Sequence, residues 1–126
     1  MILTVHSKKP QILHICSREM LRPLRDQVLR VNGHEVDSTL SVSEGLTMFW
    51  KKPYDLVLVD VEGEGRIPDA ERICSAIKTA QPGQLVAFVC NWRVAIQTDC
   101  PDEIVRTEFN PEEFVQGVSN IVAKAH

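Results

Sequence analysis

The residues best placed to do chemistry in this chain lie where apolar runs end. Asp60 closes the run LVLVD, Cys90 closes QLVAFVC, and the pair Cys16 and Ser17 follows QILHI. A carboxylate such as that of Asp60 can accept a phosphoryl group, bind a metal ion, or simply accept hydrogen bonds from nearby backbone. If these runs are parallel strands, their carboxyl ends and Thr107 meet at one edge of a sheet, where α/β proteins usually hold their sites.

A second arrangement pairs a thiol with an arginine. Cys16 and Arg22 are separated by five residues directly after the first apolar run. This spacing is similar to that of low-molecular-weight tyrosine phosphatases and implies a Cys16 thiolate of low pKa as nucleophile. However, the intervening SREML has no glycine, Glu19 would repel phosphate, and Pro23 replaces the Ser or Thr of that family. The phosphatase-like enzyme is therefore the alternative from another class.

The remaining cysteines and histidines do not indicate a metal or dithiol site. No two of Cys16, Cys74, Cys90 and Cys100 are spaced as C-x-x-C, and no two of the four histidines have a metal-ligand spacing. We expect reduced cysteines packed as small hydrophobes in a cytoplasmic protein.

Composition narrows the class of protein further. The 126 residues suit one domain; 44% are hydrophobic and 25% charged, which excludes disorder. A net charge of −3 argues against binding nucleic acid through its phosphates, and no apolar run is long enough to span a membrane. The N-terminus has no signal-peptide pattern. We expect an N-terminal extension over residues 1–10 and one domain over 11–126.

Short apolar runs alternate with helical patterns along the whole chain. Five strands are predicted, over residues 11–17, 35–39, 55–61, 84–90 and 103–106. Helices are predicted over 18–31, from a capping box at Ser41 and Glu44, from Pro68, over 91–98 and from Asn110. The first helix places Leu21, Leu24, Val28 and Val31 on one face. Five strand–helix pairs predict an α/β fold with a parallel sheet and helices on both faces.

Four segments carry a family resemblance: ILHICS, NGHEV, YDLVLVDVEGEG and FNPEEF. Through them residues 11–125 resemble a response-regulator receiver domain, the CheY-like module of two-component phosphorelay signalling. The resemblance implies a flavodoxin-like (βα)5 fold with strand order 2-1-3-4-5. It also implies that Asp60 is the phospho-acceptor and that Gly65 turns the loop after it.

The chain departs from the receiver pattern at the positions that support the acceptor. Cys16 and Ser17 stand where the family has two acidic Mg²⁺ ligands, and Thr107 stands at its phosphate-binding lysine. Cys90 replaces a Ser or Thr, and Ile104 replaces the aromatic switch residue. The pocket is therefore degenerate. We expect weak or absent Mg²⁺ binding, through Asp60 and Glu62, and slow or absent phosphorylation.

The resulting interpretation is a pseudo-receiver that acts by protein–protein interaction and is not an enzyme. A conventional Mg²⁺-dependent receiver is the nearest alternative, in which Glu19, Glu62 or Glu64 restores the cation site. The expected partner is a protein: a histidine kinase, an output domain or another receiver, with homodimer formation left open. Trp92, just beyond the fourth strand, is the candidate anchor of the partner face.

Overall fold

The computed structural model describes residues 9–107 and 110–125. Its strands are β1 (Gln11–Ile15), β2 (Glu35–Thr39), β3 (Leu56–Val61), β4 (Val86–Cys90) and β5 (Glu103–Arg106). Its helices are α1 (Leu21–Val31), α2 (Val42–Lys51), α3 (Ile67–Ala80) and α4 (Pro111–Ala125), with a short 3-10 turn at Glu64–Arg66 before α3. The predicted strand bounds at 35–39 and 103–106 are confirmed, and the other strands are shorter than predicted.

The five strands form one parallel sheet in the order β2-β1-β3-β4-β5, as the receiver resemblance implies. β3 lies at its centre and is buried along its whole length, because helices cover both faces. One apolar cluster joins the sheet to α2 and α3, and a second joins it to α4 and Leu29 of α1. Parallel register brings the carboxyl ends of β1, β3 and β4 to one edge.

Local sequence signals account for the helix ends. Ser41 Oγ accepts a hydrogen bond from the backbone N–H of Glu44 at 3.2 Å, which is one half of the predicted capping box. Asn110 Oδ1 accepts from the backbone N–H of Glu112 at 2.9 Å and caps α4. Pro23 lies in the first turn of α1, where its missing N–H removes no helical hydrogen bond.

The helix predicted over 91–98 is absent. Residues 91–102, which we call the β4–β5 connection, contain turns and irregular backbone. The predicted fold class is confirmed, with its sheet, strand order and helices, but β4 is followed directly by this connection and not by the helix predicted there. Hydrogen bonds from the Arg106 guanidinium to carbonyl oxygens in the connection hold it in a non-helical path.

The orientation predicted for α1 is also wrong. Leu24 and Val31 are 62% and 75% exposed, whereas the residues buried beneath the helix are Arg25, Asp26 and Leu29. Charged side chains face inward because they find buried partners of opposite charge in the sheet, described below. The apolar face that periodicity assigns to the core instead looks outward.

Candidate functional site

Four of the predicted site residues lie at the carboxyl edge of the sheet: Cys16, Asp60, Cys90 and Thr107. The backbone N–H of Cys16 donates to the Thr39 carbonyl at 3.0 Å, and that of Thr107 donates to the Cys90 carbonyl at 3.0 Å. These bonds continue the sheet beyond the ends of the strands. Asp60 lies between them in β3, with its side chain fully buried.

Two arginines bind the Asp60 carboxylate. Arg18 donates from Nε to Oδ2 and from Nη2 to Oδ1, both at 3.0 Å, in a bidentate fork. Arg25 donates from Nη1 to Oδ1 at 2.6 Å. Both carboxylate oxygens are therefore engaged by cationic donors, and the pair of arginines leaves a net positive charge around Asp60.

The two arginines reach Asp60 from different places. Arg18 comes from the turn between β1 and α1 and stays partly exposed, whereas Arg25 comes from the inward face of α1 and is buried. The guanidinium carbon of Arg25 lies 5.2 Å from the ring centroid of Phe114 in α4, a distance suited to a cation–π contact. Burial lowers the pKa of Arg18, but its hydrogen bonds to Asp60 and the carboxylate charge outweigh that and raise the pKa above its ordinary value.

The sequence prediction does not include either arginine. A usable signal exists: Arg18, Arg22 and Arg25 recur at intervals of four and three residues directly after the first strand, in a chain of net negative charge. Such spacing places the three side chains on one helical side. Two of them reach one carboxylate only because α1 is packed against β1 and β3.

Cys16 and Ser17, which the sequence analysis assigns to the positions of two acidic ligands, carry no carboxylate. Cys16 is buried. Its pKa is raised by burial and by the charge of Asp60, against a lowering by a hydrogen bond with the Arg18 backbone and by the charges of Arg25 and Arg18. Ser17 and Glu62 are exposed. Within residues 9–107 and 110–125 no group of three or more His, Cys, Asp or Glu is arranged to hold a metal ion.

The other residues predicted for the pocket have uncharged side chains that are buried or partly buried. Thr107 is buried and donates from Oγ1 to the Asn110 carbonyl at 3.2 Å, so it ties β5 to the start of α4. Cys90 is fully buried and has a pKa raised by burial. Ile104 is partly buried against the α2–α3 cluster. Glu108 and Phe109, which complete the RTEF segment, lie outside the described residues.

The phosphatase-like arrangement does not form. Arg22 Nη1 donates to Ser38 Oγ at 2.6 Å and to Asp26 Oδ2 at 3.2 Å. The raised pKa of Cys16 is the opposite of what a thiolate nucleophile requires. Neither the anion-binding role of Arg22 nor the nucleophilic role of Cys16 fits this geometry.

A second buried polar network lies beside the first. His14 Nδ1 and Asp26 Oδ1 are 2.8 Å apart, and Ser38 Oγ donates to Asp26 Oδ2 at 2.5 Å. Burial raises the pKa of Asp26, but the hydrogen bonds from His14 and Ser38, with the charges of His14 and Arg22, lower it below its ordinary value. α1 is thus fastened to the sheet by Asp26 and by Arg25, one side chain of each sign.

Two surface features remain available for partners. The outward apolar face of α1 and the start of α4 line a groove of about 610 Å³, which includes Leu24, Val28 and Phe114. Trp92, on the β4–β5 connection, is 60% exposed. A side chain of that size gains by being covered, which makes it a suitable contact for another protein.

The cysteines are not all reduced as expected. Cys74 of α3 and Cys100 of the β4–β5 connection are paired as a disulfide, with Cα atoms 6.3 Å apart, while Cys16 and Cys90 are free. The expectation fails because it rests on the spacing of cysteines along the chain. Packing of the connection against α3 brings together two sulfurs that are 26 residues apart in sequence.

Comparison with known proteins supports the fold. No protein-family model and no curated protein matches the chain. Among solved structures, a putative response regulator from Chloroflexus aurantiacus is 20% identical, with a TM-score of 0.78 and 92% and 99% of the two chains covered. The chemotaxis response regulator CheY4 of Vibrio cholerae is 15% identical, with a TM-score of 0.75 and coverage of 90% and 98%.

A third similar chain comes from a complex of the histidine kinase ThkA with the response regulator TrrA. It is 22% identical, with a TM-score of 0.74 and coverage of 89% and 97%. The chain therefore has the CheY-like α/β fold of response-regulator receiver domains. In the described part of the chain, none of the helices is long and apolar enough to cross a membrane.

Proposed function

We propose that this protein is a receiver-like signalling domain that acts by binding another protein, without phosphoryl transfer and without enzymatic activity of its own. The observation that carries the proposal is the engagement of the Asp60 carboxylate by Arg18 and Arg25. Supporting it are the CheY-like fold and the absence of carboxylates at Cys16 and Ser17.

The chemistry of a phosphorylated receiver needs a carboxylate oxygen free to attack phosphorus and a divalent cation beside it. Here Oδ1 of Asp60 accepts from both arginines and Oδ2 accepts from Arg18. A Mg²⁺ ion would have to replace guanidinium groups and would meet their repulsion at short range. Asp60 stays the candidate phospho-acceptor, and Glu62 the candidate second ligand for Mg²⁺. We expect phosphorylation to be slow or absent and Mg²⁺ binding to be weak or absent.

The partner is expected to be a protein, located in the cytoplasm. A histidine kinase, an output domain or another receiver, including a second copy of this chain, fits the fold, since one similar structure is a kinase–regulator complex. Contact through the α1 groove or Trp92 fits the exposed apolar side chains. The functional unit is residues 11–126, with 1–10 as an extension. The mildly acidic chain is not expected to bind nucleic acid.

The test is a titration with Mg²⁺ and beryllofluoride, which mimics the phosphoryl group on an aspartate. Amide NMR follows the edge of the sheet, and tryptophan fluorescence, recorded in a Trp50→Phe background, follows Trp92. The unmodified protein is expected to show no saturable change at millimolar Mg²⁺, and Asp60→Asn is the control for binding at that carboxylate. Saturable shifts that vanish in Asp60→Asn would establish the conventional receiver and overturn the proposal.

A reversion experiment separates a blocked pocket from a misplaced one. Cys16→Asp, Ser17→Asp and Thr107→Lys, combined with Arg18→Ala and Arg25→Met, should create Mg²⁺ binding that also depends on Asp60. Arg72→Ala in place of Arg18→Ala is the matched control, because Arg72 is an exposed arginine of α3. If the reverted protein folds and binds no Mg²⁺, the assignment of the pocket is wrong.

A further inference from the structure

The β4–β5 connection is fastened to the rest of the domain at its beginning, in its middle and towards its end, where Asp102 also contacts Val86 and Lys78. Arg106 Nη1 donates to the carbonyl oxygens of Asn91 at 3.0 Å and Val94 at 2.9 Å. Glu64 Oε1 accepts from the backbone N–H of Ala95 at 3.0 Å. Towards its far end, Cys100 is bonded to Cys74. A twelve-residue connection without regular structure has few other means of keeping one path.

The contacts that Glu64, Arg106 and Cys74 make with the connection differ in strength and in chemistry. The Glu64 contact is exposed and competes with water, so it contributes little. The Arg106 contacts hold the beginning of the connection only. The bond to Cys74 is the covalent one, and its anchor is firm because Cys74 is fully buried in α3.

The two sulfurs are unequally accessible. Cys100 is partly buried near the surface, and its Sγ lies 3.9 Å from Ser75 Oγ. The free thiols Cys16 and Cys90 are both fully buried, with pKa values raised by burial. Thiol–disulfide exchange requires an approach to one sulfur of the bond. Cys100 offers that approach, and the free cysteines do not compete for it.

We propose that the Cys74–Cys100 pair is a reversible redox modification site that sets the order of residues 95–100 of the β4–β5 connection and so the surface that this stretch presents to a partner. The bond, when formed, fixes the far end of the connection to α3. When it is reduced, the connection keeps the Arg106 contacts at its beginning and the contacts of Asp102 with Val86 and Lys78 at its end, while the stretch around Cys100 loses its covalent attachment to α3. The surface presented to a partner then changes while the sheet stays folded.

The exchange is a two-electron step with a dithiol protein or a small-molecule thiol as reductant. One reductant thiolate attacks Cys100 Sγ, and Cys74 leaves as a thiolate that takes up a proton. A second reductant thiolate attacks the mixed disulfide, releasing Cys100, which is protonated, and the reductant as its disulfide. The reverse sequence, with a disulfide of the same class as oxidant, restores the bond.

The test uses the full chain equilibrated in a series of glutathione redox buffers. Denaturation with a maleimide, followed by peptide mass mapping, identifies the linked cysteines. We expect a Cys74–Cys100 peptide at the oxidising end, with Cys16 and Cys90 alkylated throughout, and four alkylated cysteines at the reducing end. Failure to find that linkage anywhere in the series would overturn the proposal.

Hydrogen exchange then tests the effect on structure. Amides of residues 95–100 should exchange at least about tenfold faster in the reduced protein and in Cys100→Ser, while β4 is unchanged. Cys100→Ala repeats the test without a new hydroxyl, and Ser75→Ala is the matched control that leaves both sulfurs. Exchange within about twofold in the two redox states would show that the bond does not order the connection, and would also overturn the proposal. Neither readout depends on the state of Asp60.

Discussion

The Asp60 pocket and the β4–β5 connection, which begins at the same edge of the sheet, are built in opposite ways. In the pocket, a buried carboxylate is bound by two guanidinium groups of the same chain. In the connection, irregular backbone and an exposed Trp92 are held by a few contacts and one cysteine pair. The pocket is closed by internal charge, whereas the connection is open to exchange with its surroundings.

This difference indicates where the domain can respond to a signal. Changing the pocket requires removing buried charges, which costs several kcal/mol. Changing the connection requires breaking one bond near the surface. Under the proposed function, a regulatory change is therefore expected at the connection and the surface beside it, and not at Asp60.

The largest effect is expected from Arg25→Ala, which leaves Asp60 buried with Arg18 alone. Breaking a buried ion pair from one side typically costs about 3–5 kcal/mol, and Arg25 also loses its contact with Phe114. Urea unfolding should show a lower midpoint with an unchanged slope. Arg72→Ala should change the free energy of unfolding by less than about 0.5 kcal/mol.

A double variant sharpens that prediction. If the cost comes from the uncompensated charge, Arg25→Met with Asp60→Leu should recover most of the stability lost in Arg25→Met. If the losses of stability in Arg25→Met and Asp60→Leu simply add in the double variant, the two side chains do not interact. That result would contradict the claim that arginine occupies the pocket.

The next largest effect is expected from opening the Cys74–Cys100 bond. Closing a loop of this length restricts the unfolded chain by about 3 kcal/mol in the chain-entropy account. Reduction and Cys100→Ser should therefore lower the free energy of unfolding by similar amounts, measured with and without reductant. A reductant effect that persists in Cys100→Ser would place its origin elsewhere in the chain.

Acid should weaken the attachment of α1 through Asp26. Because the folded-state pKa of this carboxyl lies below its ordinary value of 3.8, its stabilisation is present above that value and is lost as pH falls through the folded-state pKa. Asp26→Asn should cost about 2 kcal/mol at neutral pH and should flatten the stability profile below pH 3.8. Urea unfolding at a series of pH values measures both, and an unchanged profile would contradict the role of Asp26.

The smallest effect on stability is expected at Trp92. Its side chain is mostly exposed, so Trp92→Ala should change the free energy of unfolding by less than about 0.5 kcal/mol. Binding to a protein partner should nevertheless weaken if this surface is used. Thermal unfolding checks the first expectation, with Trp50→Ala, at an exposed position of α2, as the comparison. A large loss of stability in Trp92→Ala alone would mean that the Trp92 side chain is packed against the domain.

Much of the fold follows from the sequence because its signals are local. The buried run of β3, the cap at Ser41 and the Asn110 cap each act within a few residues, and the structure confirms them. The orientation of α1 does not follow, because periodicity cannot show that Arg25 and Asp26 find buried partners. The helix prediction for the connection fails for a similar reason, because the path of the connection depends on Arg106 and Cys74, which lie outside it.

The sequence predicts where the candidate site lies but not which side chains surround Asp60. Strand ends locate Asp60, Cys16 and Cys90 at one edge of the sheet. Which groups surround Asp60 depends on the packing of α1, and that packing brings Arg18 and Arg25 to the position where a receiver would bind a cation. The assignment of Thr107 and Ile104 to receiver positions, and the phosphorylation of Asp60, stay predictions.

The most direct measurement of the central claim is the NMR spectrum of the arginine Nε–H groups. Arg18 should give a resolved Nε–H resonance, protected from exchange by its bond to Asp60, that persists at millimolar Mg²⁺ and disappears in Asp60→Asn. A resonance that is absent, that is unchanged in Asp60→Asn, or that is displaced by millimolar Mg²⁺ would contradict the claim that the chain's own arginines occupy the pocket.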